Sequence, residues 1–294
     1  MRTSSVWLLA VLLAARAGAA EDPLRIVTSF YPIHIAVLNV ARNVPGVEVI
    51  NLTPPVTGCL HEYSMTPQDL RTLAQADAFV INGLGMESFL DDAVKRLPYL
   101  RVIDASQGIK PLDDNPHVWV SVTLAIQQAR NIADALEEFD PDHAERYRAN
   151  ADAYIARLDA LRRKMREGLD GVKNRNIVTL HEAFPYFARE FGLRVVAVIE
   201  REPGSEPSAR ELAQTIDIVR QTGAPALFAE PQYPAKAIDT IAAETGAKVY
   251  TLDPAVTGPM EPGAYLGIME TNLETLIAAL KEGPSPRSTV ESPQ

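Results

Sequence analysis

A cysteine and a histidine stand two residues apart in the stretch GCLHEYSM, residues 58–65, just after a run of β-forming residues. Cys59 is the only cysteine of the chain, so it has no partner for an internal disulfide. A thiolate and an imidazole are both metal ligands, and both can also act in catalysis. The stretch alone therefore leaves metal binding, catalysis and a chance cluster open.

Other side chains with metal-binding chemistry also follow predicted strands. Besides His61, these are His117 in NPHVWVS, His181 directly after NIVTL, and Asp253 directly after KVYTL. The carboxyl ends of parallel strands form the sheet edge at which open α/β proteins bind ligands. Three imidazoles and one carboxylate complete a tetrahedral set for zinc, whereas manganese prefers more carboxylate. Their shared placement predicts a zinc site.

Two acids are candidates for orienting these histidines from behind. Glu182 follows His181, and Glu230 ends another predicted strand in LFAEPQYP. A carboxylate there could accept the second ring N–H of a ligating imidazole and fix its orientation. For Glu182, a role as a helix-start acid is an equal alternative. Of the remaining histidines, we expect His34 to pack within the first helix and His143 to be solvated.

Short β-rich runs alternate with segments of helical periodicity along most of the chain. This alternation predicts an α/β fold in which parallel sheets are covered by helices. The strands are expected at residues 24–29, 47–52, 78–82, 101–104, 176–180, 194–199, 226–229 and 248–252.

A long charged amphipathic segment interrupts this alternation. Residues 141–171 contain no strand signal and carry one apolar stripe, which predicts a helix of roughly 40 Å. We interpret it as a rigid link between an N-terminal lobe, residues 21–140, and a C-terminal lobe, residues 172–282. If the strand ends of the two lobes face each other, the three histidines and Asp253 meet in the cleft between them.

The two ends of the chain differ in composition from the predicted lobes. Residues 1–20 combine an early arginine, a short apolar core and small residues at the end, which is the layout of a secretory signal peptide. Residues 283–294 are polar and rich in proline and serine, which is typical of a disordered tail. Cys59 is too far from the leader to carry a lipid anchor. The expected mature protein is exported, periplasmic and soluble, with no membrane insertion.

The charge balance restricts the partners of the chain. With 38 acidic and 28 basic residues, the formal net charge is −10 at pH 7. An acidic surface repels nucleic acid and offers no basic patch to anionic lipids, but it does not repel a small cation.

The chain resembles the solute-receptor family of ABC importers for zinc and manganese over residues 24–282. The matching motifs are TSFYPIHIAVLNV, HEYSMTPQDLRTLAQADAFVINGLGMESFL, NPHVWVS, HEAFPYFAREFGL, EPSARELAQTIDIVRQ, FAEPQYP, YTLDP and GAYLGIMETNLETL. This resemblance implies two α/β lobes joined by one long helix, a membrane permease as the partner, and no enzymatic activity.

The resemblance also implies a ligand set: His61, His117, His181 and Asp253. The family's third ligand is histidine in zinc-type receptors and often glutamate in manganese-type ones, so His181 favours Zn²⁺ over Mn²⁺ as the transported ion. We expect the chain to act as a monomer. The short sequence PLDDN stands where many zinc receptors carry a long His- and acid-rich loop, so no auxiliary metal-gathering loop is expected.

Cys59 is a departure from the family, whose first loop usually lacks cysteine. We expect it to be a small buried side chain beside the site that does not bind the metal, with thiolate ligation as the alternative. The competing function is a secreted zinc hydrolase, which would need an open zinc position and a nearby base. The motif HExxH is absent, since HEYSM and HEAFP both lack the second histidine.

Overall fold

The computed structural model describes residues 22–200 and 206–281. The predicted signal peptide and the predicted tail lie outside the described residues. Within the described ranges, no helix combines the length and the apolar character needed to cross a membrane.

The N-terminal half builds a four-stranded parallel sheet in the order β2-β1-β3-β4. Its central strand β1 is buried from Ile26 onward and pairs with β2 and β3. The strands are β1 (Leu24–Thr28), β2 (Val47–Asn51), β3 (Ala78–Ile81) and β4 (Arg101–Asp104). The helices are α1 (Tyr31–Val40), α2 (Pro67–Ala74), α3 (Asp91–Val94) and α4 (Val122–Phe139).

The C-terminal half repeats this arrangement with the order β6-β5-β7-β8, again all parallel. Its strands are β5 (Asn176–Thr179), β6 (Arg194–Val198), β7 (Ala226–Ala229) and β8 (Lys248–Thr251). Its helices are α6 (Pro185–Phe191), α7 (Ala209–Thr222), α8 (Lys236–Thr245) and α9 (Ala264–Lys281). In the first sheet β2 and β3 flank β1 on opposite sides, and in the second sheet β6 and β7 flank β5 in the same way. This reversal of strand order opens a crevice at the carboxyl ends of the strands.

The helix α5 (Ala144–Asp170) joins the two sheets. Its 27 residues span roughly 40 Å at 1.5 Å per residue, as the sequence predicts. One stripe of the helix is buried: Tyr147, Ala151, Tyr154, Ile155, Leu158, Leu161, Met165 and Leu169. This stripe packs against α1 and α4 of the first lobe and α6 and α9 of the second. The predicted fold class is confirmed, while the lobe limits 21–140, 141–171 and 172–282 stay a prediction.

Hydrogen bonds close the two lobes on each other around the strand ends. The Trp119 indole N–H of the first lobe donates to the Pro254 carbonyl at 2.8 Å, and the Tyr265 hydroxyl donates to the Trp119 carbonyl at 2.8 Å. The Tyr31 hydroxyl donates to the Pro259 carbonyl at 3.0 Å. The largest core cluster also continues from one lobe into the other. The carboxyl edges of both sheets therefore face a shared, largely closed cleft.

The expected packing role of His34 is confirmed, because the side chain is only 5% exposed on α1. Its Nδ1 lies 3.0 Å from the Thr28 hydroxyl. Burial lowers the pKa of His34 from 6.5 to about 4, since charging the ring would require hydration that the core cannot supply.

This pKa shift predicts that His34 makes the metal-free protein less stable in acid. The unfolded chain binds the proton first as pH falls below 6.5, so stability is lost from there down to about pH 4. Between pH 7 and pH 5 the loss is about 2 kcal/mol. Urea unfolding with chelator present gives the free energy of unfolding of the wild type and of His34→Gln at each pH. The difference between the two proteins should change between pH 7 and pH 5 by the amount that His34 contributes. A difference that does not change with pH would contradict the assignment.

Candidate metal centre

Three histidines reach the cleft from segments that follow the carboxyl ends of strands. His61 stands in the 3₁₀ turn Leu60–Glu62 that follows β2. His117 immediately precedes the 3₁₀ turn Val118–Val120 after β4. His181 lies two residues beyond β5 in the opposite sheet. The two lobes thus supply the imidazoles jointly.

The structure brings these three histidines together with Cys59. One potential ligand atom from each of the four residues lies within 4.8 Å of every other. The Nε2 atoms of His61 and His117 are 3.0 Å apart, and Cys59 Sγ and His181 Nε2 are 3.6 Å apart. His61 is exposed and the other three are buried, so one side of the group faces solvent.

Asn115 fixes the orientation of the His117 ring. Its side-chain oxygen lies 3.0 Å from His117 Nδ1 and accepts the His117 main-chain N–H at 2.9 Å. The side-chain amide of Asn115 donates to the Glu182 carbonyl of the other lobe at 2.7 Å. An amide oxygen facing Nδ1 favours the tautomer protonated there, which leaves the Nε2 lone pair directed into the group.

Glu230 does the same for His181. Its Oε1 lies 2.5 Å from His181 Nδ1 and accepts the His181 main-chain N–H at 3.2 Å, while Oε2 accepts the Gln232 side-chain amide at 3.0 Å. This contact arises because β7, which ends just before Glu230, is the sheet neighbour of β5. The Glu230 carboxylate therefore contacts the His181 ring directly, as its predicted orienting role requires.

Glu182 has no such position in the structure. Its side chain is exposed, and the contact it makes towards the first lobe uses its main-chain carbonyl. Adjacency to His181 in sequence made Glu182 a candidate, but successive residues beyond a strand point in different directions.

Cys59 enters the group from the loop before the 3₁₀ turn. The residue is 5% exposed, and burial together with Glu230 and Asp253 raises the pKa of its thiol well above the usual range. Gly58 makes this approach possible, because its φ of +79° is a left-handed conformation. A Cβ at that position would also lie 3.2 Å from the Tyr233 hydroxyl. The expected burial of Cys59 is confirmed.

Asp253 is not a member of the four-residue group, although it lies near enough to Cys59 to help raise the pKa of its thiol. Its Oδ1 accepts the main-chain N–H of Ala255 at 2.7 Å. Asn272 holds the Asp253 backbone through hydrogen bonds of 2.9 and 2.7 Å. Burial raises the pKa of Asp253 to about 6, and Glu230 adds to the shift. Its role as a ligand stays a prediction.

The group is prepared for a transition metal ion rather than for acid–base chemistry. Burial, together with the nearby His181 and His61 rings, lowers the pKa of His117 well below its usual range. The ring is therefore neutral at pH 7, which is the form that binds metal. Zinc with nitrogen and sulfur ligands at 2.0–2.3 Å in tetrahedral geometry places neighbouring donors roughly 3.3–3.6 Å apart. The His61–His117 and Cys59–His181 separations, 3.0 and 3.6 Å, are close to these values.

Known proteins of similar sequence and structure bind metal ions. The chain is 29% identical to the high-affinity zinc uptake system protein ZnuA of Bacillus subtilis, over 88% of each chain. It is 30% identical to the manganese-binding lipoprotein MntA of Halalkalibacterium halodurans, over 95% of this chain and 98% of that protein. Among solved structures, it is similar to FpvC of Pseudomonas aeruginosa in complex with Mn²⁺, with a TM-score of 0.81 and 32% identity over 88% of this chain and 98% of that one.

The family model described as "ZnuA: zinc-uptake complex component A, periplasmic" matches residues 26–279. This range includes the linking helix, all members of the four-residue group, and both sheets except the first two residues of β1. The chain therefore belongs to the ZnuA family of zinc-uptake proteins.

Proposed function

We propose that this protein captures a divalent transition metal ion, best Zn²⁺, outside the cytoplasm and delivers it to the membrane permease of an ABC importer. The observation that carries this proposal is the convergence of His61, His117 and His181 from both lobes, two of them oriented through Nδ1 by Asn115 and Glu230. Family membership supports the transport role.

The geometry suggests an order of events in capture. His61 is exposed and offers the first contact to an ion arriving from solvent. His117 and His181 are buried behind it, and His117 is already neutral because burial keeps its pKa low. Ligands from both lobes then hold the ion, so opening of the cleft would be required to release it to the permease.

Three neutral nitrogen donors favour zinc over manganese. Imidazole affinity rises along the divalent series, and manganese lies at its weak end. The donor set of this chain therefore outweighs its similarity to manganese-binding relatives. Magnesium and calcium, which require oxygen ligands, are poorer still.

We further propose that the mature chain is periplasmic, without a lipid anchor, and acts as a monomer beside its permease. The periplasmic description of the family supports the location. The predicted signal peptide at residues 1–20 and the position of Cys59 are the sequence grounds for an unanchored protein.

The hydrolase alternative does not fit. The ZnuA family consists of solute-binding proteins and not of enzymes. In addition, Glu230, a carboxylate close to the group, is engaged with His181 and Gln232.

Titration with metals tests the proposed function. Purified metal-free mature protein is expected to bind one Zn²⁺ per chain, and Zn²⁺ is expected to displace Mn²⁺ in direct competition because of the imidazole donors. Calorimetry and elemental analysis after dialysis measure both. Tighter binding of Mn²⁺ at neutral pH would refute the zinc assignment, and no binding of either ion would refute the proposed function.

A further inference from the structure

We propose that the Cys59 thiolate is the fourth ligand of the captured ion, in the position that the family resemblance gives to Asp253. This inference rests on the proposed function and specifies its site as three imidazoles and one thiolate. It reverses the expectation drawn from the sequence, in which Cys59 packs beside the site without binding.

The distance between Cys59 and His181 carries the first step. A nitrogen and a sulfur bound to one tetrahedral zinc at about 2.1 and 2.3 Å lie about 3.6 Å apart. The separation of Cys59 Sγ and His181 Nε2 is 3.6 Å, which matches the spacing of a pair of zinc ligands. His61 and His117, 3.0 Å apart at Nε2, need only a small separation to complete the tetrahedron.

The engagement of Asp253 is the second step. Its side chain already accepts a hydrogen bond from Ala255 N–H within its own loop, and no ligand atom of Asp253 belongs to the four-residue group. Asn272 anchors the backbone on the other side. The second oxygen of Asp253, Oδ2, does not join the group either, so Asp253 would have to move towards the histidines to bind, whereas Cys59 is already among them.

Charge compensation is the third step. A bound Zn²⁺ in a buried site needs negative charge nearby, and three neutral imidazoles supply none. The thiol releases its proton to solvent when the metal binds, because a coordinated thiol is deprotonated. The Cys59 thiolate and the Glu230 carboxylate behind His181 then balance the two positive charges without a bond from Asp253.

Burial answers the usual objection to a thiol ligand in an exported protein. Exposed thiolates are oxidised, and accessible cysteines are the most susceptible. Cys59 is only 5% exposed and, as the sole cysteine, has no partner for an internal disulfide. The thiol is therefore shielded.

The chemical consequence is selectivity. A thiolate is a soft ligand that favours zinc and disfavours manganese, which binds harder oxygen donors. Cys59 would thus widen the preference for zinc that the imidazoles already provide.

X-ray absorption at the zinc edge, together with two matched variants, tests this inference on the mature protein. We expect one sulfur near 2.3 Å in the wild type and none in Cys59→Ser. Zinc affinity of Cys59→Ser is expected to fall about 10-fold or more, with manganese affinity changed less than about 3-fold. The control Asp253→Asn, which keeps an oxygen for Ala255 N–H, is expected to retain the sulfur and most of the zinc affinity.

The possible failures are distinguishable. A wild-type zinc shell of nitrogen and oxygen alone, with Asp253→Asn weaker than Cys59→Ser, would overturn the thiolate ligand and leave the proposed function intact. A wild type that binds no zinc would overturn both.

Discussion

Replacing His117 or His181 with alanine is expected to reduce zinc affinity by about 1,000-fold or more. His117 is a buried donor of the first lobe, and His181 is the one histidine that the second lobe gives to the group, so either change removes a buried nitrogen ligand. Loss of residues that merely support a ligand already costs about 10- to 100-fold, and loss of a ligand itself costs more. Isothermal titration, or competition with a chelator of known affinity, measures the change.

His143→Ala is the matched control for these variants. His143 lies at the start of the linking helix, where its ring contacts Asp140 at 2.8 Å, and it is not a member of the group. Its replacement should leave zinc affinity within about 3-fold of the wild type. If His143→Ala weakened binding as much as His117→Ala, the losses would reflect general damage to the fold rather than ligation.

Replacing Glu230 is expected to weaken zinc binding by about 10- to 100-fold, because its oxygens hold the His181 ring in place from behind. In Glu230→Gln the new amide can keep its oxygen on His181 Nδ1 if the side-chain amide of Gln232 flips to accept its N–H. This variant therefore removes mainly the charge, and we expect its loss of affinity near 10-fold. Glu230→Ala leaves the His181 ring unheld and belongs at the upper end. Zinc titrations of the two variants against the wild type provide the comparison.

Glu182→Gln serves as the control for Glu230→Gln, because it makes the same chemical change next to His181 in sequence but on an exposed side chain. We expect no measurable change in zinc affinity. Equal losses in both variants would mean that the charge of the whole cleft, and not the contact with His181, determines affinity.

The sheets were predictable because their strands are short, apolar and separated by helical segments. All eight strands lie within one residue of the ranges predicted at each end. The long helix was equally predictable, because its buried residues from Tyr147 to Leu169 recur at helical spacing over many turns. Periodicity does not specify the order of strands within a sheet, and it is this order that places Glu230 beside His181.

The convergence of the three histidines could be predicted from their positions after strands, but the place of Cys59 among them could not. Whether Cys59 reaches the histidines depends on the backbone at Gly58, whose left-handed φ a sequence pattern does not reveal. The hydrogen bond from Ala255 N–H to Asp253 Oδ1 is a local turn contact that a sequence pattern does not reveal either. Both features depend on local backbone conformation, which hydrophobic periodicity and residue spacing do not specify.

A crystal structure of the zinc-loaded mature protein, with anomalous diffraction measured on both sides of the zinc edge, tests the central claim most directly. The account predicts one zinc peak in the cleft between the lobes, about 2.0–2.1 Å from the Nε2 atoms of His61, His117 and His181. A zinc ion bound elsewhere, or one held by residues of a single lobe, would contradict it.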